Sequence, residues 1–199
     1  AWHFQFVHHE VWNFDTPTAP IQLDLTVDGR EIPAVIQATK QGWLYTFNRL
    51  TGEPVWPIVE RSVPPSIVPG EVLSPTQPHV TWPEPYSMQG ITEDDLVDFT
   101  PELKAQALEA MEDYVMGGLF NPPIHADNPL GKYAAMNCPG GAGGVNITSP
   151  PVADPTTNTM YVSSHIACFA LRLIPGEEAD LLFPNSTGAT TAQYANGVR

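Results

Sequence analysis

The sequence predicts an all-β fold of short antiparallel strands with one inserted helix. The 199 residues include 22 prolines and 15 glycines, a density that shortens regular elements and favours strands joined by many turns. Apolar and polar residues alternate along residues 21–27, which is the pattern of a half-buried strand. Residues 101–116 instead combine helix-start signals with one apolar face. Because 42% of the residues are hydrophobic, the chain can bury a substantial core.

The first predicted unit is a three-stranded meander. Its first strand, residues 21–27, is followed by Asp28-Gly29, a dipeptide typical of a hairpin turn. Residues 32–38 form the second predicted strand. The pair Gln41-Gly42 then turns the chain into residues 43–47, whose aromatic side chains suit a pleated surface. A meander of this kind supplies most of one propeller blade.

A proline-rich segment follows the meander. Residues 57–92 hold eight prolines, and each one removes an amide donor and fixes a φ angle. A regular sheet is therefore not expected there, and we interpret residues 57–130 as a long connection over the body that includes the helix. In that helix, predicted over residues 101–116, Thr100 is the N-cap and Pro101 takes the first position. The pair Gly117-Gly118 is expected to end it.

The last third of the chain predicts two more strands. Residues 154–158 form a turn into a strand at residues 160–164, and a further apolar strand runs over residues 167–173. The polar tail from Phe183 is expected to be loosely ordered. Cys138 and Cys168 lie thirty positions apart. That spacing leaves open whether they are free, paired with each other or paired with another chain.

The charge balance restricts the partners. A formal charge of −14 repels phosphate backbones and anionic lipid surfaces, so no nucleic acid is expected as a partner. No apolar run approaches the roughly 20 residues that cross a bilayer. The first residues lack the basic-then-apolar order of a signal peptide. We expect any export signal or membrane anchor to lie outside this chain or to have been removed.

Two motifs carry a resemblance to a known family. The run YTFNRLTGEPVW at residues 45–56 resembles the tryptophan-docking repeat of quinoprotein propellers, in which a Thr-Gly turn precedes a Trp that stacks between blades. The run HHEVWNFD at residues 8–15 is similar to the His-His-Asp-x-Trp-Asp-x-Asp segment of membrane-bound glucose and quinate dehydrogenases that use pyrroloquinoline quinone (PQQ). The resemblance implies part of an eight-bladed β-propeller, with residues 1–199 in a single propeller domain. It implies three to four blades of antiparallel four-stranded sheet.

The same resemblance implies cofactor contacts for Lys40, Asn146 and His9. The run QATKQG at residues 37–42 matches the family segment whose Lys reaches the quinone carbonyls. The run NCPGGAGGVN at residues 137–146 resembles a Gly-rich segment that brings an Asn side chain close to PQQ. Glycines permit that close approach because they have no Cβ atom.

The catalytic base is where the sequence departs from the family pattern. Asn13 stands at the position of the catalytic Asp, and an amide cannot accept a proton at neutral pH. Asn13 and Asp15 are also the implied ligands of a divalent metal, expected to be calcium. Three accounts of Asn13 stay open. The protein has lost dehydrogenase activity, or Asp15 or Glu10 acts as the base, or the residue is an Asp read as Asn.

The implied function is PQQ-dependent oxidation of a sugar, polyol or other alcohol in the periplasm, with electrons passing to a quinone or a cytochrome. Membrane association would come from a segment outside this chain. The alternative is a catalytically degenerate propeller segment with a structural or binding role. A chain of this length cannot close a ring of eight blades, so the remainder of the propeller has to come from further sequence or from another chain.

Overall fold

The structure is a computed structural model, and it describes residues 1–175 and the backbone of residues 191–197. The strands are β1 (Ile21–Val27), β2 (Arg30–Ala38), β3 (Leu44–Asn48), β4 (Ile58–Ser62), β5 (Thr76–Val80), β6 (Gly90–Ile91), β7 (Tyr114–Val115), β8 (Gly117–Gly118), β9 (Ile124–His125), β10 (Ala134–Asn137), β11 (Val152–Asp154), β12 (Thr159–Tyr161), β13 (Phe169–Pro175) and β14 (Thr191–Gly197). Helix α1 spans Pro101–Met111, and a single 3₁₀ turn spans Glu93–Asp95. The predicted mostly-β fold with one α-helix is confirmed over these residues.

The predicted meander forms the first sheet, with the order β1, β2, β3 and antiparallel pairing throughout. Asp28 and Gly29 join β1 to β2 with φ angles of 52° and 74°. Positive φ at both central residues is the requirement of the type I′ turn that joins twisted strands. An isolated bridge between Phe47 and Pro54 continues the sheet past β3. This sheet therefore has three strands, where four were predicted for a blade.

Among the described residues, the second sheet has five strands and mixed pairing. The order β14, β13, β10, β7 includes a parallel pair between β7 and β10, and β9 also pairs with β13 in parallel. The predicted four-stranded, fully antiparallel unit differs from this arrangement. A parallel pair needs a long crossover, and the stretch between Val115 and Ala134 supplies one. Each parallel pairing covers only two residue pairs.

The proline-rich segment contains a β-hairpin, so the prediction of no regular sheet there was wrong. β4 and β5 pair antiparallel over five residues. Most of the prolines fall before β4, between the two strands or after β5, where they break no ladder. Pro78 is the exception and lies in β5 opposite Glu60. Each strand of a two-stranded sheet has a free edge, and such an edge tolerates the missing amide of proline.

Helix α1 begins as predicted and ends earlier. The Thr100 hydroxyl accepts a hydrogen bond from the Leu103 amide at 3.3 Å, which confirms the N-cap. The helix ends at Met111, five residues before the predicted end at residue 116. Residues 114–115 belong to β7 because they pair with β10. Gly117-Gly118, the predicted helix end, forms β8 and pairs with β6. No helix in the described part of the chain is long and apolar enough to cross a membrane.

The last third follows the prediction in outline. The turn at residues 154–158 joins β11 to β12, with Asn158 at a φ of 50°. Strands β12 and β13 are shifted by one to three residues from their predicted bounds. The predicted loose tail from Phe183 lies partly outside the described residues, which omit 176–190 and 198–199. Residues 191–197 contradict that prediction because their backbone forms β14 on β13.

The core centres on an aromatic cluster. Its buried members are Trp12, Phe14, Trp43, Tyr45, Phe47, Leu119 and Phe120. The Trp12 indole N–H donates to the Asn121 carbonyl at 2.9 Å, which satisfies a fully buried donor. His79 packs against the rings of Trp43 and Phe120, and this burial lowers its pKa below the usual value. The aromatic cluster fixes the N-terminal segment that carries Asn13.

Candidate functional site

The segment of residues 8–15 alternates between buried anchors and outward side chains. Trp12 and Phe14 are almost completely buried in the aromatic cluster. Asn13 and Asp15 are exposed because they alternate with those anchors along the chain. The side chains of Asn13 and Asp15 therefore point outward from a segment that is fixed by its buried aromatic residues.

Glu10 stabilises this segment by accepting hydrogen bonds from its backbone. Its carboxylate accepts the amide N–H groups of Trp12, at 2.5 Å, and of Phe14. Asn13 lies between these two residues with a φ of 64°, a left-handed conformation that is uncommon outside glycine. Burial raises the pKa of Glu10 above its usual value, although the backbone hydrogen bonds act in the opposite direction. Glu10 therefore faces the backbone, and this geometry gives it a positioning role for Asn13.

Lys40 meets both Asn13 and Asp15. It lies in the turn after β2, and its Nζ is 2.5 Å from Asp15 Oδ1 and 3.4 Å from Asn13 Oδ1. The Lys40 side chain is 8% exposed, whereas that of Asp15 is 56% exposed. The ammonium is thus nearly enclosed while one carboxylate next to it faces solvent. The structure brings together three of the predicted site residues from two separate segments.

The Gly-rich loop of residues 139–146 closes over these residues. A Cβ atom on Gly141 would lie 2.9 Å from Asn13 Nδ2, and one on Gly144 would lie 2.4 Å from the Lys40 carbonyl oxygen. Real Cβ atoms do not approach so closely, so these glycines permit the contact. The Val145 amide also donates to the Thr39 carbonyl at 3.4 Å. The Gly-rich loop therefore packs on Asn13 and on the turn that carries Lys40.

A disulfide bond anchors the Gly-rich loop to β13. Cys138 and Cys168 are paired with a Cα–Cα distance of 4.5 Å, which answers the question that their spacing left open. The Ala167 amide donates to the Pro139 carbonyl, and the His165 amide donates to the Gly144 carbonyl, each at 2.9 Å. The start and the middle of the loop are consequently fixed to the same neighbouring segment.

Asn146 and His9 make their hydrogen bonds with other residues of the described chain. Asn146 donates to the Ala142 carbonyl at 3.3 Å and lines a separate cavity of about 290 Å³. His9 Nε2 lies 2.6 Å from Glu71 Oε1, and the residue is exposed. Within residues 1–175, no hydrogen bond joins either side chain to Lys40. Their predicted cofactor contacts stay predictions.

A cavity of about 390 Å³ opens beside Asn13. Glu10, Val11, Asn13, Glu71, Pro123 and Leu173 line it. Glu71 was missed by the sequence analysis because a single Glu in a proline-rich stretch carries no motif. The Glu71 carboxylate and the Asn13 amide in its wall can accept hydrogen bonds from hydroxyl groups, whereas the Glu10 carboxylate already accepts two backbone amides.

The predicted metal ligands form an incomplete set. Calcium takes six to eight oxygen ligands, and Asn13 with Asp15 supplies two side chains. Among the described residues, no group of three His, Cys, Asp or Glu side chains is placed to hold a metal ion. A cation at this position would need further oxygen ligands from elsewhere in the protein, and it would compete with Lys40 for Asp15.

The fold and these residues are consistent with part of a quinoprotein propeller domain. The family model for the β-propeller domain of PQQ-dependent glucose, ethanol and alcohol dehydrogenases matches residues 1–197, so the chain belongs to this family. The predicted family is thereby confirmed.

Several curated relatives are similar to the chain. It is 29% identical to quinate/shikimate dehydrogenase (quinone) of Acinetobacter baylyi over 90% of its own length and 21% of the relative. It is 30% identical to the glycerol dehydrogenase large subunit of Gluconobacter oxydans over 91% of its own length and 24% of the relative. A quinoprotein glucose dehydrogenase of Gluconobacter oxydans is 42% identical over 39% of the chain and 10% of the relative. The chain spans about a fifth to a quarter of the first two relatives. No solved structure matches it significantly.

Proposed function

We propose that the protein containing this chain oxidises an alcohol group of a sugar, a polyol or a cyclic alcohol with PQQ as its cofactor. The observation that carries the proposal is the convergence of Lys40, Asn13 and Asp15 beneath the Gly-rich loop. The relatives are named for quinate or shikimate, glycerol and glucose as substrates, and all three are polyhydroxylated molecules. Electrons would pass to a quinone or a cytochrome.

The donor set near Lys40 fits an anionic quinone cofactor. An ammonium and a primary amide both donate hydrogen bonds, and both can approach carbonyl or carboxylate oxygens. The glycines let the loop lie directly against these donors, because a Cβ atom at residue 141 or 144 would clash with Asn13 or with the main chain of Lys40. When bound, PQQ supplies an electrophilic quinone carbonyl that accepts hydride from the alcohol carbon.

The residues of the chain have separate tasks in this proposal. Lys40 holds a positive charge where negative charge develops on an oxygen, and its enclosure strengthens that interaction. Asp15 keeps the ammonium in place through their contact at 2.5 Å. Asp15 is also the better candidate for the base because its carboxylate faces solvent. The Glu10 carboxylate is instead occupied by backbone amides.

The periplasm is the proposed location. The Cys138–Cys168 disulfide fits an oxidising compartment. The remainder of the propeller is the proposed structural partner. Phe99 is 84% exposed and Leu50 is 75% exposed, and large apolar side chains of this kind suit a surface that other blades cover.

Asn13 favours a second candidate function, a propeller that binds the cofactor without turnover. The amide cannot take the hydroxyl proton. Asp15 is already paired with the Lys40 ammonium at 2.5 Å. In this alternative the segment has a structural or binding role.

Reconstitution distinguishes these candidates. The complete protein is loaded with PQQ and Ca²⁺, and dye reduction is measured with glucose, quinate, glycerol and simple alcohols, with cofactor-free protein as the control. The enzyme proposal expects turnover of at least one polyhydroxylated substrate. PQQ uptake without turnover, restored by Asn13→Asp, would support the degenerate site. A protein that takes up no PQQ would contradict the enzyme and the cofactor-binding role, and it would favour a purely structural segment.

A further inference from the structure

The turn that carries Lys40, residues 39–42, is held by hydrogen bonds from a short segment of the proline-rich region. We call residues 86–89 the strap. The Tyr86 hydroxyl donates to the Thr39 carbonyl and accepts the Thr39 amide at 3.1 Å. The Tyr86 amide donates to the Gly42 carbonyl at 2.8 Å. One residue of the strap therefore holds both ends of the lysine turn.

The strap also contacts the middle of the turn. Gln89 Nε2 donates to the Gln41 carbonyl at 2.7 Å. A Cβ atom on Gly42 would lie 2.7 Å from Ser87 Cβ, so only glycine permits the strap to lie this close. All four residues of the turn are buried. The position of Lys40 thus depends on contacts made by the strap.

The Gly-rich loop supports the same turn from another side. The Thr39 carbonyl accepts hydrogen bonds from Tyr86 Oη, from the Gly42 amide at 3.1 Å and from the Val145 amide at 3.4 Å. Burial raises the pKa of Tyr86, which keeps its hydroxyl protonated and able to donate. Loss of that hydroxyl would remove one donor to the Thr39 carbonyl and one of the two acceptors of the Thr39 amide, which also donates to the Trp43 carbonyl at 3.1 Å. The turn would then be freed on one side.

We infer that Tyr86, together with Gln89, is a positioning residue that aims the Lys40 ammonium at Asn13 and Asp15. In this inference Tyr86 and Gln89 act through the lysine turn and do not contact a substrate or cofactor. The part of the inference that concerns cofactor affinity rests on the proposed function, whereas the part that concerns the position of Lys40 rests on the described contacts alone.

The test compares Tyr86→Phe with Tyr133→Phe in the complete protein. Tyr133 is the matched control because its ring packs on Tyr114 and Arg172, while no hydrogen bond of its hydroxyl is found in the described part of the chain. The first readout is the rate at which an amine-reactive reagent labels Lys40, measured by mass spectrometry. Lys104 and Lys132 in the same sample are internal references. We expect Tyr86→Phe to speed labelling of Lys40 by about tenfold, which corresponds to a population shift of roughly 1.4 kcal/mol.

The second readout is the affinity for PQQ, measured by equilibrium titration. Tyr86→Phe should weaken it by about tenfold, and Tyr133→Phe should not change it. If Tyr86→Phe does not fold, Gln89→Met is measured in the same way, since it removes the donor to the Gln41 carbonyl. Unchanged labelling of Lys40 in the folded variants would overturn the inference.

The two readouts separate the failure of the inference from that of the proposed function. If wild-type protein binds no PQQ, the proposed function fails, and the labelling rate alone decides the role of the strap. If PQQ binds equally well to wild type and to a variant whose Lys40 labels faster, the strap positions Lys40 but Lys40 does not contact the cofactor. That result would overturn the part of the inference that concerns affinity.

Discussion

Removal of the Cys138–Cys168 disulfide should destabilise the chain by an amount set by its loop length. The two residues are 30 positions apart. In the chain-entropy model, a cross-link of this span lowers the entropy of the unfolded chain by about 12 cal/mol/K, or about 3.6 kcal/mol at 25 °C. Cys138 is fully buried beside Met136 and Ala170. The double variant Cys138→Ala/Cys168→Ala therefore loses some packing in addition to the cross-link.

The assay is reversible urea unfolding of the wild type with and without reductant, compared with the double variant. Reduction keeps every side chain, so it isolates the cross-link from the lost packing. We expect reduction to lower the free energy of unfolding by about 3 kcal/mol and to leave the double variant unaffected. A loss below about 1 kcal/mol on reduction would refute the view that this bond holds the Gly-rich loop against β13.

Three further predictions concern single residues. His79 has a lowered pKa, so the unfolded chain binds more protons than the native protein below about pH 6.5, and stability should fall as the pH drops through this range. His79→Asn should flatten that fall in melting temperatures recorded from pH 7.5 to 5. Gly29→Ala should cost about 1 kcal/mol in urea unfolding because Gly29 has a φ of 74°, whereas Gly118→Ala should cost less. Trp12→Phe should lower the unfolding free energy by about 2 kcal/mol because the Asn121 carbonyl loses a buried donor.

Each of these predictions has an outcome that would contradict it. A His79→Asn variant that loses as much stability in acid as the wild type would remove His79 as the source of the effect. Equal costs for Gly29→Ala and Gly118→Ala would show that the hairpin turn does not require positive φ. An unchanged melting temperature for Trp12→Phe would mean that the indole hydrogen bond contributes nothing.

The sequence correctly predicted the elements that depend on neighbouring residues in the chain. The Asp28-Gly29 turn, the three strands around it and the Thr100 N-cap were predicted because each depends on residues close together in the chain. The end of the helix was misplaced because Tyr114 and Val115 are taken by pairing with β10, which lies some twenty residues further along. Proline density likewise concealed the hairpin of β4 and β5, since the prolines mark its connection more than its strands.

The site was predicted in part for a similar reason. The resemblance brought Asn13, Asp15 and Lys40 together correctly, because the motif fixes their register. It gave no indication that the Glu10 carboxylate is occupied by backbone amides, which depends on the left-handed turn at Asn13. The strap was also missed. Tyr86 acts through hydrogen bonds to the main chain of Thr39, and such contacts leave no pattern in the sequence.

The most direct test of the account is an equilibrium titration of PQQ into the complete protein in the presence of Ca²⁺. Wild type, Lys40→Met and the control Lys104→Met are compared. Lys40→Met should bind at least about tenfold more weakly, because a charge-assisted hydrogen bond contributes roughly 1.5–3 kcal/mol, and Lys104→Met should bind like the wild type. Equal affinity of wild type and Lys40→Met would contradict the claim that Lys40, Asn13 and Asp15 form the cofactor site.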